Sequence, residues 1–207
     1  MNLPKLYAIV DRDALHARGM SAEEFARDLR DAGVRLVQYR DKGGSPQQIL
    51  RAATQISQVF ARVEDAVLVM NDRADFALLA GWGVHVGHED LAPGDARKVL
   101  GAAVIGVSTH TEAQVTEADA DAADYVAIGP VFATASKADT EPMVGLEGVR
   151  RARALTSKPL VAIGGITREN ARSVVEAGAD SVAVIGALLA AGERLGAIAE
   201  DFLDILR

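Results

Sequence analysis

At 207 residues, 49% of them hydrophobic and 25% charged, the chain has the composition of one globular domain built around one core. It contains no cysteine, which excludes disulfides, thiolate metal ligands and a cysteine nucleophile, and its net charge of −7 with no basic patch among aromatics argues against a nucleic-acid surface. No uncharged run reaches the ~18 residues needed to span a bilayer, and MNLPKLYAIVD meets charge at Asp11 after a very short apolar run, so a soluble cytoplasmic protein with no membrane partner is expected.

In chain order, KLYAIVD (Lys5 to Asp11) reads as a first strand. Ser21 with Glu24 forms a capping box for a helix running to Gly33. Strand two is Val34 to Arg40, and Ser45, Pro46 and Gln48 open a helix through Phe60. Ala66 to Met70 is strand three, with a short helix to about Gly81; Gly83 to Gly87 is strand four, and Pro93 starts the next helix. Ala103 to Ser108 and Asp124 to Gly129 are strands five and six, separated by a helix over Glu112 to Asp119. One long irregular loop, Pro130 to Val144, precedes a helix over Leu146 to Leu155. LVAIGGIT (Leu160 to Thr167) and AVIGALLA (Ala183 to Ala190) carry strands seven and eight, each breaking at glycine into helix-compatible sequence, and Glu193 to Leu206 closes the ring.

Eight apolar strands alternating with helices predict an α/β protein, a single (β/α)8 barrel over residues 1–207. A helix end, a small-residue turn and a strand recur at Asp31, Leu79, Asp121 and Glu176, which suggests a two-unit repeat, although such turns look alike in any barrel. In this fold the loops after strands seven and eight form the standard phosphate site, and the glycines at 164, 165 and 186 let backbone N–H groups approach an anion.

Barrel chemistry sits at the C-terminal ends of the strands. Gln38, Arg40 and Lys42 alternate there and can project to one side. Asn71, Asp72, His88, Glu89, Asp90, Ser108, Thr109 and His110 stand on the same rim, and Thr134, Ser136 and Lys137 follow strand six. Cations, carboxylates and hydroxyls gathered in this way suit a polyphosphate with a divalent ion, since Mg2+ is usually held by one or two carboxylates plus substrate phosphates. Asp72 and Asp90 end neighbouring strands and form the candidate metal pair; taken singly, Asp72 would be a helix cap, Asp90 a turn residue, and Arg40 and Lys42 a solvated face or partners for nearby acids. Of the histidines, His16 falls in a polar loop, His85 points into the barrel as a hydrogen-bonded core residue, and His88 falls in a loop. His110 stands where an acid or base would, or else caps the next helix or is simply exposed.

The ordered set QYRDK (Gln38 to Lys42), ND (Asn71, Asp72), GVHVGHEDL (Gly83 to Leu91), GVSTH (Gly106 to His110), DYVAIGPVFATASK (Asp124 to Lys137) and AIGGI (Ala162 to Ile166) resembles the thiamine-phosphate synthase family over nearly the whole chain. That resemblance implies a TIM barrel, a transferase joining hydroxymethylpyrimidine diphosphate to a thiazole phosphate, or its carboxylated form, with release of diphosphate. It implies that Gln38, Tyr39, Arg40, Asp41, Lys42, Asn71, Ser108 and Lys137 hold the pyrimidine diphosphate, with Arg40, Lys42 and Lys137 catalytic. Asp72 and Asp90 would bind Mg2+; Thr134, Ala135 and Ser136 would meet the thiazole, and Gly165, Ile185 and Gly186 its phosphate. A homodimer is expected from the family alone. Tyr39, Asp41, Ala133 and Gly186 stand where the family commonly has Leu, Glu, Pro and Ser, and Gly186 removes a hydroxyl near the thiazole phosphate. The loop from Pro130 to Val144 is expected to fold over the substrates. The sister thiazole tautomerase would use His110 but has no need of the diphosphate and metal residues; a non-catalytic phosphate-sensing barrel would lack the carboxylates.

Overall fold

The computed structural model describes residues 2–134 and 142–207. Eight parallel strands close into a barrel in chain order, β1 (Leu6–Asp11), β2 (Leu36–Arg40), β3 (Val67–Asn71), β4 (Gly83–Val86), β5 (Ile105–Thr109), β6 (Tyr125–Ile128), β7 (Leu160–Ile163) and β8 (Ser181–Val184), with β8 pairing back to β1. The expected (β/α)8 architecture is therefore present. Helices α1 (Arg12–His16), α2 (Ala22–Asp31), α3 (Pro46–Phe60), α4 (Ala74–Ala80), α5 (Pro93–Leu100), α6 (Glu112–Ala120), α7 (Gly145–Leu155), α8 (Ala171–Glu176) and α9 (Leu195–Ile205) cover the outside. Among the described residues no helix is long and apolar enough to cross a membrane.

Strand parity divides the core in two. Leu6, Ala8 and Val10 of β1 face outward and pack with Phe25, Leu29 and the other helical apolar residues. Tyr7 and Ile9 face the barrel axis, where they meet Leu36, Val69, Tyr125, Val161 and Ala183. The same parity carries Asp11, Gln38 and Arg40 inward, and the β1–β2 register sets Ile9 beside Gln38 and Asp11 beside Arg40.

The capping boxes at Ser21 with Glu24 and Ser45 with Gln48 start α2 and α3 as expected, and a third, Thr111 with Gln114, starts α6. The sequence-based boundaries shift by a residue or two at most strands, which is ordinary fraying. One element differs in kind: His16 ends the short helix α1 rather than lying in a loop. The Asp11 carboxylate accepts from Ala14 N at 2.9 Å and caps that helix, whose five residues are too few to show an amphipathic period.

The two-unit repeat is real between the last two pairs of units. Asp124 Oδ2 accepts from Ile105 N at 2.8 Å and from Arg97 at 2.6 Å; Asp180 Oδ2 accepts from Leu160 N at 2.8 Å and from Arg153 at 2.8 Å. Each arginine also donates to nearby carbonyls, Arg97 to Gly101, Ala103 and Ala122, Arg153 to Thr156 and Lys158. The same Arg–Asp clamp thus ties the start of β5 to β6 and of β7 to β8, away from the C-terminal rim.

Candidate active site at the C-terminal rim

Two cavities open side by side at the C-terminal mouth of the barrel. One, ≈ 370 Å³, is lined by Gln38, Arg40, Lys42, Asn71, Asp72, His85, His88, Asp90 and Ser108 among others. Alternation along β2 explains why Gln38, Arg40 and Lys42 share it. It also explains a correction. The side chains of Tyr39 and Asp41, expected to touch substrate, point the other way: Tyr39 is buried against the helical layer and donates to Asp41 at 3.1 Å, while Asp41 accepts from Gly43 N at 3.1 Å and Gly44 N at 2.6 Å. Both residues shape the turn from β2 to α3. Burial and the Asp41 carboxylate push the Tyr39 phenol well above its ordinary range.

The charges of this cavity are arranged in opposed pairs. Arg40 Nη1 donates to Asp11 Oδ2 at 2.5 Å, with side chains only 14% and 6% exposed, and Arg40 Nε is buried with no partner among the described residues. Lys42 Nζ stands 3.3 Å from Asp72 Oδ2. Burial raises the Asp72 pKa, the adjoining Asp90 carboxyl raises it further, and Lys42 partly offsets both. Asp90 Oδ2 accepts from Gly87 N at 2.8 Å. Asp72 does not cap the following helix: α4 begins after Arg73 and has no side-chain cap. Instead Asp72 takes φ = 63°, a left-handed conformation uncommon outside glycine. Among the described residues no cluster of three or more His, Asp or Glu side chains is placed to hold a metal ion. Two adjoining carboxylates, one reluctant to ionise beside the other, fit a hard divalent cation whose remaining ligands come from substrate oxygens and water.

The second cavity, ≈ 330 Å³, is lined by the turns after β7 and β8, including Gly164, Gly165, Ile185 and Gly186, and by Thr134, His110 and Gly129. The glycine pair was expected to admit a ligand, yet its first constraint is internal. A Cβ on Gly164 would lie 2.6 Å from Pro130 Cα, and one on Gly165 would lie 2.4 Å from the Ala133 carbonyl oxygen. Both residues also have positive φ, 104° and 63°. Gly186 opens a 3-10 turn over Gly186–Leu189. The two cavities share Ser108, His110, Ala127, Ile163 and Ala183, so occupants of both meet along that wall. Ala135, Ser136 and Lys137, with residues 138–141 of the loop expected to fold over the substrates, lie outside the described residues.

Sequence reasoning missed the floor. Gln38 Nε2 donates to Tyr7 OH at 2.8 Å, the Tyr7 and Tyr125 hydroxyls are 2.9 Å apart, and His85 joins Tyr125 OH at 3.0 Å and Ser108 Oγ at 2.9 Å. His85 is the hydrogen-bonded interior residue expected, and it also lines the first cavity. His110 is engaged on both sides: its Nδ1 lies 2.5 Å from Gly129 O, and its amide donates to Gln114 at 2.7 Å. Inward parity on β1 and β6 was the signal for Tyr7 and Tyr125.

Such a rim, with a cation-and-carboxylate cavity beside a glycine-turn cavity on a closed parallel barrel, defines a TIM-barrel enzyme for phosphorylated substrates. A profile of the thiamine monophosphate synthase family matches residues 6–188. The chain is 50% identical to the thiamine-phosphate synthase of Koribacter versatilis over 100% of its own length and 97% of that protein, and 41% identical to the one from Methanoculleus marisnigri over 91% and 89%. Among solved structures, thiamine phosphate pyrophosphorylase from Pyrococcus furiosus superposes with a TM-score of 0.87 at 32% identity, covering 98% of this chain and 95% of that one. The chain belongs to the thiamine monophosphate synthase family.

Proposed function

We propose that the two cavities are the substrate sites of a thiamine-phosphate synthase, a transferase that joins hydroxymethylpyrimidine diphosphate to thiazole phosphate, or its carboxylated form, and releases diphosphate. The observation that carries this is the shared wall at Ser108 and His110 between a charged cavity and one built from glycine turns. The diphosphate belongs in the charged cavity with Arg40, Lys42 and Asn71, and the pyrimidine lies deeper, over Gln38 and Ser108. Lys137 joins them on the strength of the sequence resemblance alone. The phosphate of the thiazole belongs against Gly165, Ile185 and Gly186, with Thr134 near its ring.

In the reaction the bond from the pyrimidine methylene to the diphosphate oxygen breaks, and its electron pair leaves with diphosphate. The aminopyrimidine stabilises the resulting cation, and the thiazole nitrogen supplies the electron pair of the new C–N bond. No protein nucleophile is required, in keeping with the absence of cysteine. What the protein must do is stabilise the leaving charge, and preorganised cations do this best where water is excluded. Asp72 and Asp90 would hold Mg2+, which when bound supplies further neutralisation of the diphosphate. Arg40, fixed by Asp11, and Lys42, beside Asp72, hold the leaving oxygens in place.

The test is to incubate the protein with both precursors and Mg2+, with and without EDTA, and to follow thiamine phosphate by mass spectrometry. Product that depends on the metal is expected. Isomerised thiazole carboxylate that survives EDTA, or no conversion of either precursor, would overturn the assignment.

A further inference from the structure

Along the first cavity, five side chains from five different strands form one hydrogen-bonded row that ends at the shared wall: Gln38, Tyr7, Tyr125, His85 and Ser108. The row is held rigidly. The Tyr125 ring stacks on His85 at 5.6 Å and 22°, and Tyr7 meets Tyr125 edge-on at 6.1 Å and 78°. Gly106 of β5 leaves the slot for the Tyr125 ring, since a Cβ there would lie 2.0 Å from Tyr125 Cζ.

Such a row has a direction, because each hydroxyl carries one hydrogen. It begins at the Gln38 amide nitrogen, which can only donate. Tyr7 accepts from Gln38, and because Tyr125 is the one other hydrogen-bond partner of its buried hydroxyl among the described residues, its hydrogen has an acceptor only if it goes to Tyr125; Tyr125 then gives its own to Nδ1 of His85. That leaves the imidazole proton on Nε2, donated to Ser108 Oγ, and the Ser108 hydrogen directed to the cavity wall. Burial pushes both phenols well above their ordinary range, so neither loses its hydrogen at neutral pH.

We infer that Gln38, acting through Tyr7 and Tyr125, fixes the tautomer of His85 and thereby makes the Ser108 hydroxyl a hydrogen-bond donor at the wall shared by the two cavities. Tyr7 and Tyr125 are positioning residues. Their value is preorganisation: a hydroxyl that could present either its hydrogen or a lone pair is restricted to donating toward an acceptor on the bound pyrimidine diphosphate. Only the identity of that acceptor rests on the proposed function; the proton order does not.

The experiment is long-range proton–nitrogen NMR on protein carrying 15N-histidine at neutral pH without substrates, with the His85 signals assigned by their loss in His85→Gln. The wild type is expected to show His85 neutral, with its proton on Nε2. Tyr125→Phe and, independently, Gln38→Met each remove a donor that orders the row, and each is expected to turn His85 into a mixture of tautomers. Tyr125→Phe is further expected to lower kcat about tenfold with little change in KM. A wild-type proton on Nδ1 or on both nitrogens, or an unchanged tautomer in both variants, would overturn the inference. Loss of synthase activity in the wild type, with the tautomer as expected, would instead overturn the proposed function alone.

Discussion

Asp72 and Asp90 bring two carboxyl groups together at the rim, where burial first and the Asp90 contact second work against the ionisation of Asp72. Folded Asp72 therefore holds its proton more tightly than it does in the unfolded chain, where the pKa is about 3.9. Its contribution to stability is greatest below that value and is lost as pH rises through the raised folded value. Asp72→Asn removes the titration while keeping a residue that tolerates φ = 63°. Between pH 4 and pH 7 the melting temperature of the wild type is expected to fall relative to that of Asp72→Asn; parallel curves would show that the fold does not oppose ionisation of Asp72.

The same pair should answer to metal. Asp72→Asn and Asp90→Asn are each expected to lower turnover about a hundredfold, the scale of losing one group that stabilises developing charge. Each should also abolish the rise in melting temperature that Mg2+ alone gives the wild type at neutral pH. Near-normal rates in both variants would remove the metal assignment.

Arg40 is held through one carboxylate. In Asp11→Asn the amide oxygen can still cap α1 through Ala14 N, so the change isolates the lost charge. Leaving the Arg40 guanidinium half-satisfied in a place 14% exposed is expected to cost about 3 kcal/mol in urea denaturation. Added diphosphate should recover more stability in this variant than in the wild type, because it replaces the missing anion.

The barrel was legible because its signals are local and repeated: strand parity, capping boxes at Ser21 and Ser45, and glycine breaks at the ends of β7 and β8. Parity also predicted that Gln38, Arg40 and Lys42 share one side, and the same rule should have set Tyr39 and Asp41 apart from them. What the sequence could not display was pairing across the barrel. Tyr7 and Tyr125 are 118 residues apart, and only the closed ring makes their hydroxyls neighbours. Helix α1 escaped for the opposite reason, since five residues held by one Asp11 cap leave no periodic trace. The left-handed turn at Asp72 was hidden because aspartate at a strand end looks the same as a helix cap until the backbone is seen.

The glycines after β7 and β8 should differ sharply in tolerance. Gly164→Ala and Gly165→Ala each force a Cβ into neighbouring backbone at positive φ, so each is expected to cost about 2–4 kcal/mol, seen as a lowered urea midpoint before any effect on catalysis is read. Gly186 begins a 3-10 turn, whose right-handed dihedrals any residue can adopt. Gly186→Ser, which restores the family's common residue, is therefore expected to leave stability unchanged. If the phosphate of the thiazole sits against this turn, the added hydroxyl gives it one more charge-assisted hydrogen bond and should lower the KM for thiazole phosphate about tenfold while leaving that for the pyrimidine diphosphate alone. An equal change in both constants, or none in either, would move the thiazole phosphate away from β8.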